Sequence, residues 1–338
     1  MPKTVLITGA TGLLGSHLLI ELSNSEDEII ALFRDPLTKD EVFSIFNFYN
    51  VSDRWEKIKW VEGDILDIER LSEVTIGVDQ IFHCAALVSF DPAHAEKLQK
   101  INVEGTRNLV NVALQNNVSK FLHVSSTAAI EKTGTIEFCT ESTEWNNSDH
   151  HGYYAESKYS AESELWRGIE EGMDAVIVNP SVIIGPGDPE KSSGTLFSTI
   201  ANGLKFYTSG ANAFVDVRDV AAIMNKLMNS EIKSERFLTI GENLSFKDIF
   251  GLIADEMGKD RPDKKASHLM TEIAWRVLKL SSIFTRRSPK VTSESAKASH
   301  RVTRFTSQKL KDQIGYEFIP IADSVKNTVN YMRVTERL

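Results

Sequence analysis

Residues 4–15 read Thr-Val-Leu-Ile-Thr-Gly-Ala-Thr-Gly-Leu-Leu-Gly, and residues 16–23 continue with leucines at helical spacing. A short β-branched run, a glycine turn and a helix are typical of the first unit of a buried parallel sheet. In such a turn Gly9 permits the bend, Gly12 lets the backbone approach a pyrophosphate, and Gly15 brings the helix close to the strand. The helix N-terminus offers free N–H groups to that anion. We therefore predict a dinucleotide site, rather than a plain connecting turn, formed by Gly9, Thr11, Gly12, Leu13, Leu14 and Gly15.

The end of the second predicted strand, residues 29–34, bears on which dinucleotide binds. An NAD site usually carries an acidic residue about 20 residues after the glycines, where it binds the ribose 2′-hydroxyl. Leu32 and Phe33 occupy that region here, and Arg34 follows them. Because a guanidinium suits a 2′-phosphate, we expect NADP, held in part by Arg34. NAD is the alternative, since the neighbouring Asp35 either pairs with Arg34 or contacts the ribose itself.

The segment Tyr154-Ala155-Glu156-Ser157-Lys158 offers proton-transfer chemistry. Residues 153–170 predict a helix, on which Tyr154 and Lys158 are four positions apart and share one face. An ammonium near a phenol favours the phenolate and lowers its pKa from about 10. Tyr154 then serves as general acid in a reduction or general base in an oxidation. A surface Tyr–Lys pair on an ordinary helix is the other interpretation, and the upstream glycine turn weighs against it.

A hydroxyl group follows a further apolar strand, residues 120–125, at its carboxyl end. Ligands of open α/β sheets bind just beyond the carboxyl ends of the strands. Ser126 at this point orients a substrate carbonyl or alcohol beside the tyrosine. A serine at a strand end also often does no more than cap the next turn.

Further motifs resemble the extended short-chain dehydrogenases/reductases, and the resemblance covers nearly the whole chain. They are Gly63-Asp64-Ile65, His83-Cys84-Ala85-Ala86, Asn102-Val103-Glu104-Gly105-Thr106, Asn179-Pro180-Ser181 and Gly185-Pro186-Gly187. The resemblance implies that Ser126, Tyr154 and Lys158 are catalytic, with Ser125 in place of Ser126 if the alignment slips by one. It implies that Lys158 also binds the nicotinamide ribose. It also implies cofactor contacts at Asp64, Ile65, Ala85, Ala86, Asn102, Pro180 and Ser181. For Asn102 a water relay and a purely structural role stay open.

The alternation of strand and helix patterns predicts the architecture. Up to about residue 180 it indicates a Rossmann-type, doubly wound parallel sheet of the α/β class. Because 338 residues exceed a typical single core, residues 181–338 are expected to form mainly a smaller, mostly helical substrate-binding lobe. Within them, 213–240, with the Phe214-Val215-Asp216-Val217 run, is expected to return to the main sheet. Helices at 94–117 and 153–170 are a candidate homodimer interface.

Composition bears on location and partners. The sequence shows no secretory signal and no run of about 18 apolar residues, and its two cysteines lack a motif, so we expect a cytoplasmic protein. The histidine spacing predicts no metal site. Nucleic-acid binding has no supporting motif in this acidic chain of net charge −9.

One stretch departs from that charge. Residues 259–311 contain 14 Lys and Arg against 4 Asp and Glu, a net +10. Within them a predicted helix places apolar residues along one side, namely Leu269, Ile273, Val277, Leu280 and Phe284, with Arg286 and Arg287 beyond. Peripheral membrane contact through residues 268–287, or contact with an anionic ligand, is one interpretation. We favour the other, a lobe helix whose apolar stripe packs on the core.

The substrate class is the last expectation. Many sugar-nucleotide enzymes of the resembled family carry an Arg-Asp-aromatic triplet where this chain has Asn212-Ala213-Phe214. The stretches 34–36 and 185–189 look more like the dihydroflavonol-reductase and 3β-hydroxysteroid-dehydrogenase-like branch. We therefore expect an NADP-dependent reductase of a small hydrophobic carbonyl, with candidate pocket residues Leu87, Val88, Phe90, Phe197 and Phe206. The alternatives are a sugar-nucleotide epimerase or dehydratase, with no net redox, and a non-catalytic cofactor sensor.

Overall fold

The computed structural model describes residues 2–130, 137–146, 151–285 and 292–338, with the backbone alone for 279–285. Its central feature is a seven-stranded sheet in the order β10-β6-β5-β4-β1-β2-β3. The strands are β1 (Thr4–Thr8), β2 (Glu28–Phe33), β3 (Ile58–Glu62), β4 (Gln80–His83), β5 (Lys120–Val124), β6 (Ala175–Pro180) and β10 (Glu235–Thr239). Every neighbouring pair in this sheet is parallel. The predicted doubly wound Rossmann-type sheet is confirmed.

The helices connect these strands and form most of the C-terminal lobe. They are α1 (Leu13–Leu22), α2 (Lys39–Phe48), α3 (Ile68–Val74), α4 (Ala95–Leu98), α5 (Gly105–Gln115), α6 (Tyr153–Glu170), α7 (Gly194–Ala201), α8 (Val217–Met228), α9 (Phe246–Met257), α10 (His268–Thr285), α11 (Ser293–Ala298), α12 (Gln308–Ile314) and α13 (Ile321–Val334). A π-helical segment, Gln99–Glu104, joins α4 to α5, so the predicted helix at 94–117 contains a wider turn in its middle. The predicted helix at 153–170 is confirmed as α6.

The return of residues 213–240 to the main sheet is corrected in part. The edge strand β10 does lie in the main sheet, parallel to β6. The Phe214–Val217 run does not, because β9 (Ala211–Asp216) lies in a second sheet with β7 (Val182–Ile184) and β11 (Glu242–Ser245). A buried apolar run identifies a strand but does not specify its partner, and β9 pairs with the strand that directly follows β6. A short ribbon, β8 (Phe206–Tyr207) with β12 (Lys264–Lys265), completes the strands of the described residues.

The core has a layer on each face of the main sheet. One contains Val5, Ile7 and Leu18 with residues of α8, and the other contains Leu6, Ile81 and Leu109. This double burial explains why the main strands read as continuous apolar runs in the sequence. A third cluster, around α7, α9 and α13, forms the core of the lobe.

Helix α10 differs from our expectation. The described part of its apolar stripe does not pack on the core, because Leu269, Ile273 and Val277 are 69%, 55% and 57% exposed. The side chains of Leu280 and Phe284, and residues 286 and 287, lie outside the part of the chain that the structure describes. The helix packs through another side, where Thr271 Oγ1 lies 2.9 Å from His300 Nε2. Helical spacing of apolar residues cannot distinguish a face that meets the core from one that meets solvent. Within the described part of the chain, no helix combines the length and apolarity needed to span a bilayer.

Candidate active site

The glycine turn has the geometry of a dinucleotide site. Gly9 adopts φ +68°, and a Cβ on Gly15 would stand 2.2 Å from the Gly9 carbonyl oxygen, so neither position accepts a side chain without a backbone shift. Gly12 is exposed and precedes α1, whose first turn is capped by no side chain among the described residues. The free N–H groups of this turn therefore suit a pyrophosphate.

The leucines of this turn contribute unequally to the predicted cofactor contacts. Leu14 belongs to the core, so only its backbone can contact a ligand. Leu13 is half-buried and lies against the 185–187 segment, because a Cβ on Gly187 would stand 3.0 Å from its Cδ1. The structure thereby brings two of the predicted motifs together at the start of α1.

The carboxyl end of β2 brings Arg34 and Asp64 together, as predicted for two residues of one site. Their side chains approach to 3.7 Å, and Arg34 is 69% exposed. Asp35 caps the short helix after it, and its carboxylate accepts a hydrogen bond from the Leu37 N–H at 3.0 Å. Lys39, which sequence reasoning missed, lies close by, with Nζ 4.5 Å from the centroid of the Phe33 ring. Two cations therefore flank the end of this strand.

His83 anchors the loop that contains Ala85 and Ala86. Its ring is buried, with Nδ1 2.7 Å from Thr8 Oγ1 and Nε2 2.9 Å from Thr106 Oγ1. Thr106 donates its own proton to the Asn102 carbonyl, so Nε2–H donates to Thr106 and Nδ1 accepts from Thr8. Burial lowers the pKa of His83 to about 3, so the ring is neutral. The Ala85 N–H also donates to Thr8 Oγ1, at 3.4 Å.

Asn102, within the π-helical segment, holds the same loop from the other side. Its amide donates to the Leu87 carbonyl at 3.0 Å and to Ser157 Oγ at 2.9 Å, while its oxygen accepts the Leu87 N–H at 2.7 Å. Both amide protons are therefore in use. This arrangement favours the structural role for Asn102 over a water relay.

Tyr154, Ser126 and Lys158 meet beyond the carboxyl end of β5. The Ser126 side chain lies near the Tyr154 hydroxyl and interacts with it. Lys158 Nζ donates to the Val124 carbonyl, the last of β5, at 2.8 Å. Burial raises the pKa of Tyr154 above its ordinary value, and the interaction with Ser126 opposes that rise. We expected Lys158 to lower the pKa of Tyr154, and this expectation is wrong because burial raises it. Burial also lowers the pKa of Lys158 to about 8, against the attraction of Glu162.

Glu162 distinguishes the two serines and was missed from the sequence. It lies one turn after Lys158 on α6 and is buried. Its carboxylate accepts from Ser125 Oγ at 2.8 Å, from Asn179 Nδ2 at 2.9 Å and from Arg236 Nη1 at 2.9 Å. Ser125 is thus used structurally, while Ser126 both contacts the tyrosine and caps the next turn, where its Oγ accepts the Ala128 N–H at 3.2 Å. The spacing 154, 158, 162 was the available signal, since all three positions share a helix face.

The remaining predicted residues lie around this centre. Asp64 Oδ1 accepts the Leu66 N–H at 3.0 Å, and the Ile65 side chain packs against Gly105. Pro180 ends β6, and Ser181 is buried beside the Thr239 carbonyl. Both segments lie at the carboxyl ends of strands of the main sheet, β3 and β6, where a parallel sheet binds its ligands.

The candidate pocket residues divide into two groups. Phe90 and Val88 are 47% and 46% exposed, and the Phe90 ring centroid lies 5.6 Å from that of Tyr154. Phe197 is buried in the lobe core, so its role is packing. A separate cavity of about 830 Å³ is lined by Trp145, Tyr159, Trp166, Glu162, Arg236 and others, with Tyr154 and Ser126 outside its lining. Its volume alone does not make it the site of the chemistry.

Comparison with known proteins identifies the family of this chain. Residues 5–241 match the model of the NAD dependent epimerase/dehydratase family. A putative dihydroflavonol 4-reductase from Synechocystis sp. is 28% identical over 340 residues, 98% of this chain and 95% of the relative. Sterol demethylase protein B from Methylococcus capsulatus is 28% identical over 92% of this chain and 93% of its own. The crystal structure of gox2253 has a TM-score of 0.81 and 28% identity over 99% of both chains.

Proposed function

The chain belongs to the NAD-dependent epimerase/dehydratase family, the extended short-chain dehydrogenases/reductases, and from this premise we propose its reaction. It is an NADP-dependent oxidoreductase that transfers hydride between the nicotinamide and a carbonyl or secondary alcohol of a small hydrophobic substrate. The observation that carries the proposal is the contact of Tyr154 with Ser126 beside Lys158, next to a glycine turn built for a dinucleotide.

A bound nicotinamide cofactor supplies or accepts the hydride. In the reductive direction the Tyr154 phenol donates its proton to the substrate oxygen, and the Ser126 hydroxyl orients that oxygen. The raised pKa of Tyr154 keeps the phenol protonated at neutral pH, as a general acid requires. Lys158, with a pKa of about 8, is mostly charged at pH 7 and stabilises the phenolate left after proton transfer.

The preference for NADP rests on the end of β2. Arg34 is exposed and Lys39 lies over the neighbouring Phe33 ring, so two cations are available to a 2′-phosphate. Asp35, the residue that would bind a ribose 2′-hydroxyl, is used as a helix cap instead. The carboxylate of Asp64 is partly neutralised by Arg34 and stays available to the adenosine half of the cofactor.

The hydrophobic substrate class rests on the surface near Tyr154 and on two relatives. Val88 and Phe90 offer exposed apolar area beside the tyrosine, which a ligand would cover. The names of the two relatives refer to a dihydroflavonol and a sterol, which are both polycyclic molecules.

The activity test measures NADPH consumption with a panel of aromatic and alicyclic ketones and aldehydes. We expect turnover by the wild-type protein and a loss in kcat of about 10²- to 10⁴-fold in Tyr154→Phe, because the proton donor is gone. Tyr153→Phe is the matched control, since Tyr153 is the preceding residue of the helix and is 47% exposed. Equal rates for the two variants would reject Tyr154 as the acid.

The cofactor test is calorimetric titration of cofactor-stripped protein with NADPH and NADH. We expect NADPH to bind at least about tenfold more tightly, roughly 1.4 kcal/mol, and this margin to vanish in Arg34→Ala. Arg261→Ala, which removes another exposed arginine, should leave the margin unchanged. Equal or tighter binding of NADH by the wild-type protein would overturn the NADP assignment and make nucleotide sugars the first substrates to test.

A further inference from the structure

The outward face of α10 carries a row of apolar side chains with the Arg276–Glu272 ion pair along one edge, which is unusual for a surface helix. The side chains at positions 269, 273 and 277 follow one another at four-residue spacing and lie on one face. All three are exposed, and Met270 beside them is 43% exposed. Apolar residues that form a continuous exposed row, unlike single scattered ones, mark a surface that meets another apolar phase.

The opposite side of the same helix is attached to the lobe. His268 stacks on His300 with ring centroids 3.9 Å apart, and Thr271 hydrogen bonds with the same ring. This attachment fixes the rotation of the helix about its axis. The apolar row therefore faces solvent because packing holds the helix in this orientation.

The charge around the row is positive. Lys264 and Lys265, just before the helix, are exposed. Glu272, the acidic residue of the described helix, is paired with Arg276. The sequence from 259 to 311 is +10 in a chain of −9, so the charge of the molecule is strongly divided between this part and the rest. A negatively charged surface would attract this end of the protein and repel the remainder.

We propose that α10 docks the protein on an anionic lipid bilayer, with Leu269, Ile273 and Val277 in the boundary between headgroups and acyl chains. A helix of 18 residues is about 27 Å long, and lying in the plane of the surface it inserts its apolar face to a shallow depth. Lys264 and Lys265 then lie at the level of the phosphate and serine headgroups. Docking requires neither cofactor nor substrate, so it stands apart from the proposed reaction.

The test is cosedimentation of the full chain with vesicles of phosphatidylcholine, with and without phosphatidylserine. We expect binding to the serine-containing vesicles that weakens with added salt. The triple change Leu269→Ser, Ile273→Ser and Val277→Ser should lower the partition coefficient at least about tenfold, roughly 1.4 kcal/mol. Because these side chains are exposed, the fold should persist, and thermal denaturation checks it. Ile76→Ser, which removes a 73% exposed aliphatic side chain elsewhere, is the matched control and should bind like wild type.

Three results would overturn the proposal. In the first, wild-type protein stays in solution with both vesicle types. In the second, the triple variant sediments with vesicles as well as wild type does. In the third, analytical ultracentrifugation shows that the triple change converts a dimer to a monomer, so that a second copy of the chain covers this face.

The role of charge is tested by the double change Lys264→Gln and Lys265→Gln. It should reduce binding to anionic vesicles and leave binding to neutral vesicles unchanged, and an equal effect on neutral vesicles would contradict the role of charge.

Discussion

Replacing Glu162 with glutamine is expected to move the pH dependence of the reaction. In the wild-type protein burial lowers the pKa of Lys158 to about 8, while Glu162 acts in the opposite direction. Two unit charges about 6 Å apart, the spacing of helix positions i and i+4, interact by about 3 kcal/mol at an effective dielectric constant of about 20. Arg236 pairs with the same carboxylate and offsets part of this attraction. We take the net attraction between Glu162 and Lys158 as about 1.4 kcal/mol, which corresponds to one unit in the pKa of Lys158.

The assay measures kcat/KM for NADPH-dependent reduction between about pH 5 and 9. The active form has Lys158 charged, so activity falls as pH rises through the pKa of Lys158. We expect this fall near pH 8 in wild type and about one unit lower, near pH 7, in Glu162→Gln, with similar rates at the acidic end. Thermal denaturation should also show a loss of stability, since Arg236 loses its buried partner.

Glu164→Gln is the matched control for this change. Glu164 lies on the same helix but pairs with Arg107 and Arg167, away from Lys158. Its removal should leave the pH profile in place. The reasoning is refuted if Glu162→Gln lowers the rate equally at every pH, because that result indicates a structural effect with no contribution to the charge of Lys158.

Three further tests, with five substitutions, separate chemistry from structure. Ser126→Ala should lower kcat about 10²-fold or more, and it should also cost about 1 kcal/mol of stability because the cap on the Ala128 N–H is lost. Ser125→Ala, which loses its bond to Glu162, should cost about 1 kcal/mol of stability and leave kcat nearly unchanged. A loss of kcat in Ser125→Ala alone would make Ser125 the catalytic serine. Gly15→Ala should lower both stability and dinucleotide affinity, because the added Cβ would stand 2.2 Å from a backbone atom. Gly12→Ala should mainly lower affinity, because the nearest atom to its Cβ is 3.3 Å away. Calorimetry measures the affinity and thermal denaturation the stability. Asn102→Ala should cost about 1–3 kcal/mol in denaturant unfolding, because the part-buried Leu87 N–H loses its acceptor and Ser157 loses a buried donor. Unchanged stability would contradict the structural role.

The sequence predicted the parts of this protein that depend on local periodicity. Strand β1, the turn at Gly9 and the 153–170 helix were all readable, because burial on both faces of a sheet and helical spacing leave direct marks in the sequence. The same helical spacing predicted that the Tyr154 and Lys158 side chains lie on one face of that helix. The contact between Tyr154 and Ser126 follows from the positions of β5 and α6 in the fold.

Features that depend on long-range pairing were not predictable in this way. The assignment of β9 to the second sheet is decided by its partner β7, and the exposure of Leu269 by the packing of α10 through its other side. The role of Glu162 arises from contacts with Ser125, Asn179 and Arg236, which are far apart in the sequence. The raised pKa of Tyr154 likewise comes from burial, which the Tyr–Lys spacing does not reveal.

The most direct test of the proposed reaction follows the hydride itself. The measurement is mass spectrometry of the product formed from NADPH deuterated at the transferring position of the nicotinamide, with a carbonyl substrate identified in the NADPH screen. The account predicts that deuterium appears on the carbinol carbon in step with NADPH oxidation, and that Tyr154→Phe slows this transfer about 10²- to 10⁴-fold. An altered product, such as an epimerised sugar nucleotide, that contains no deuterium from the added cofactor would contradict it.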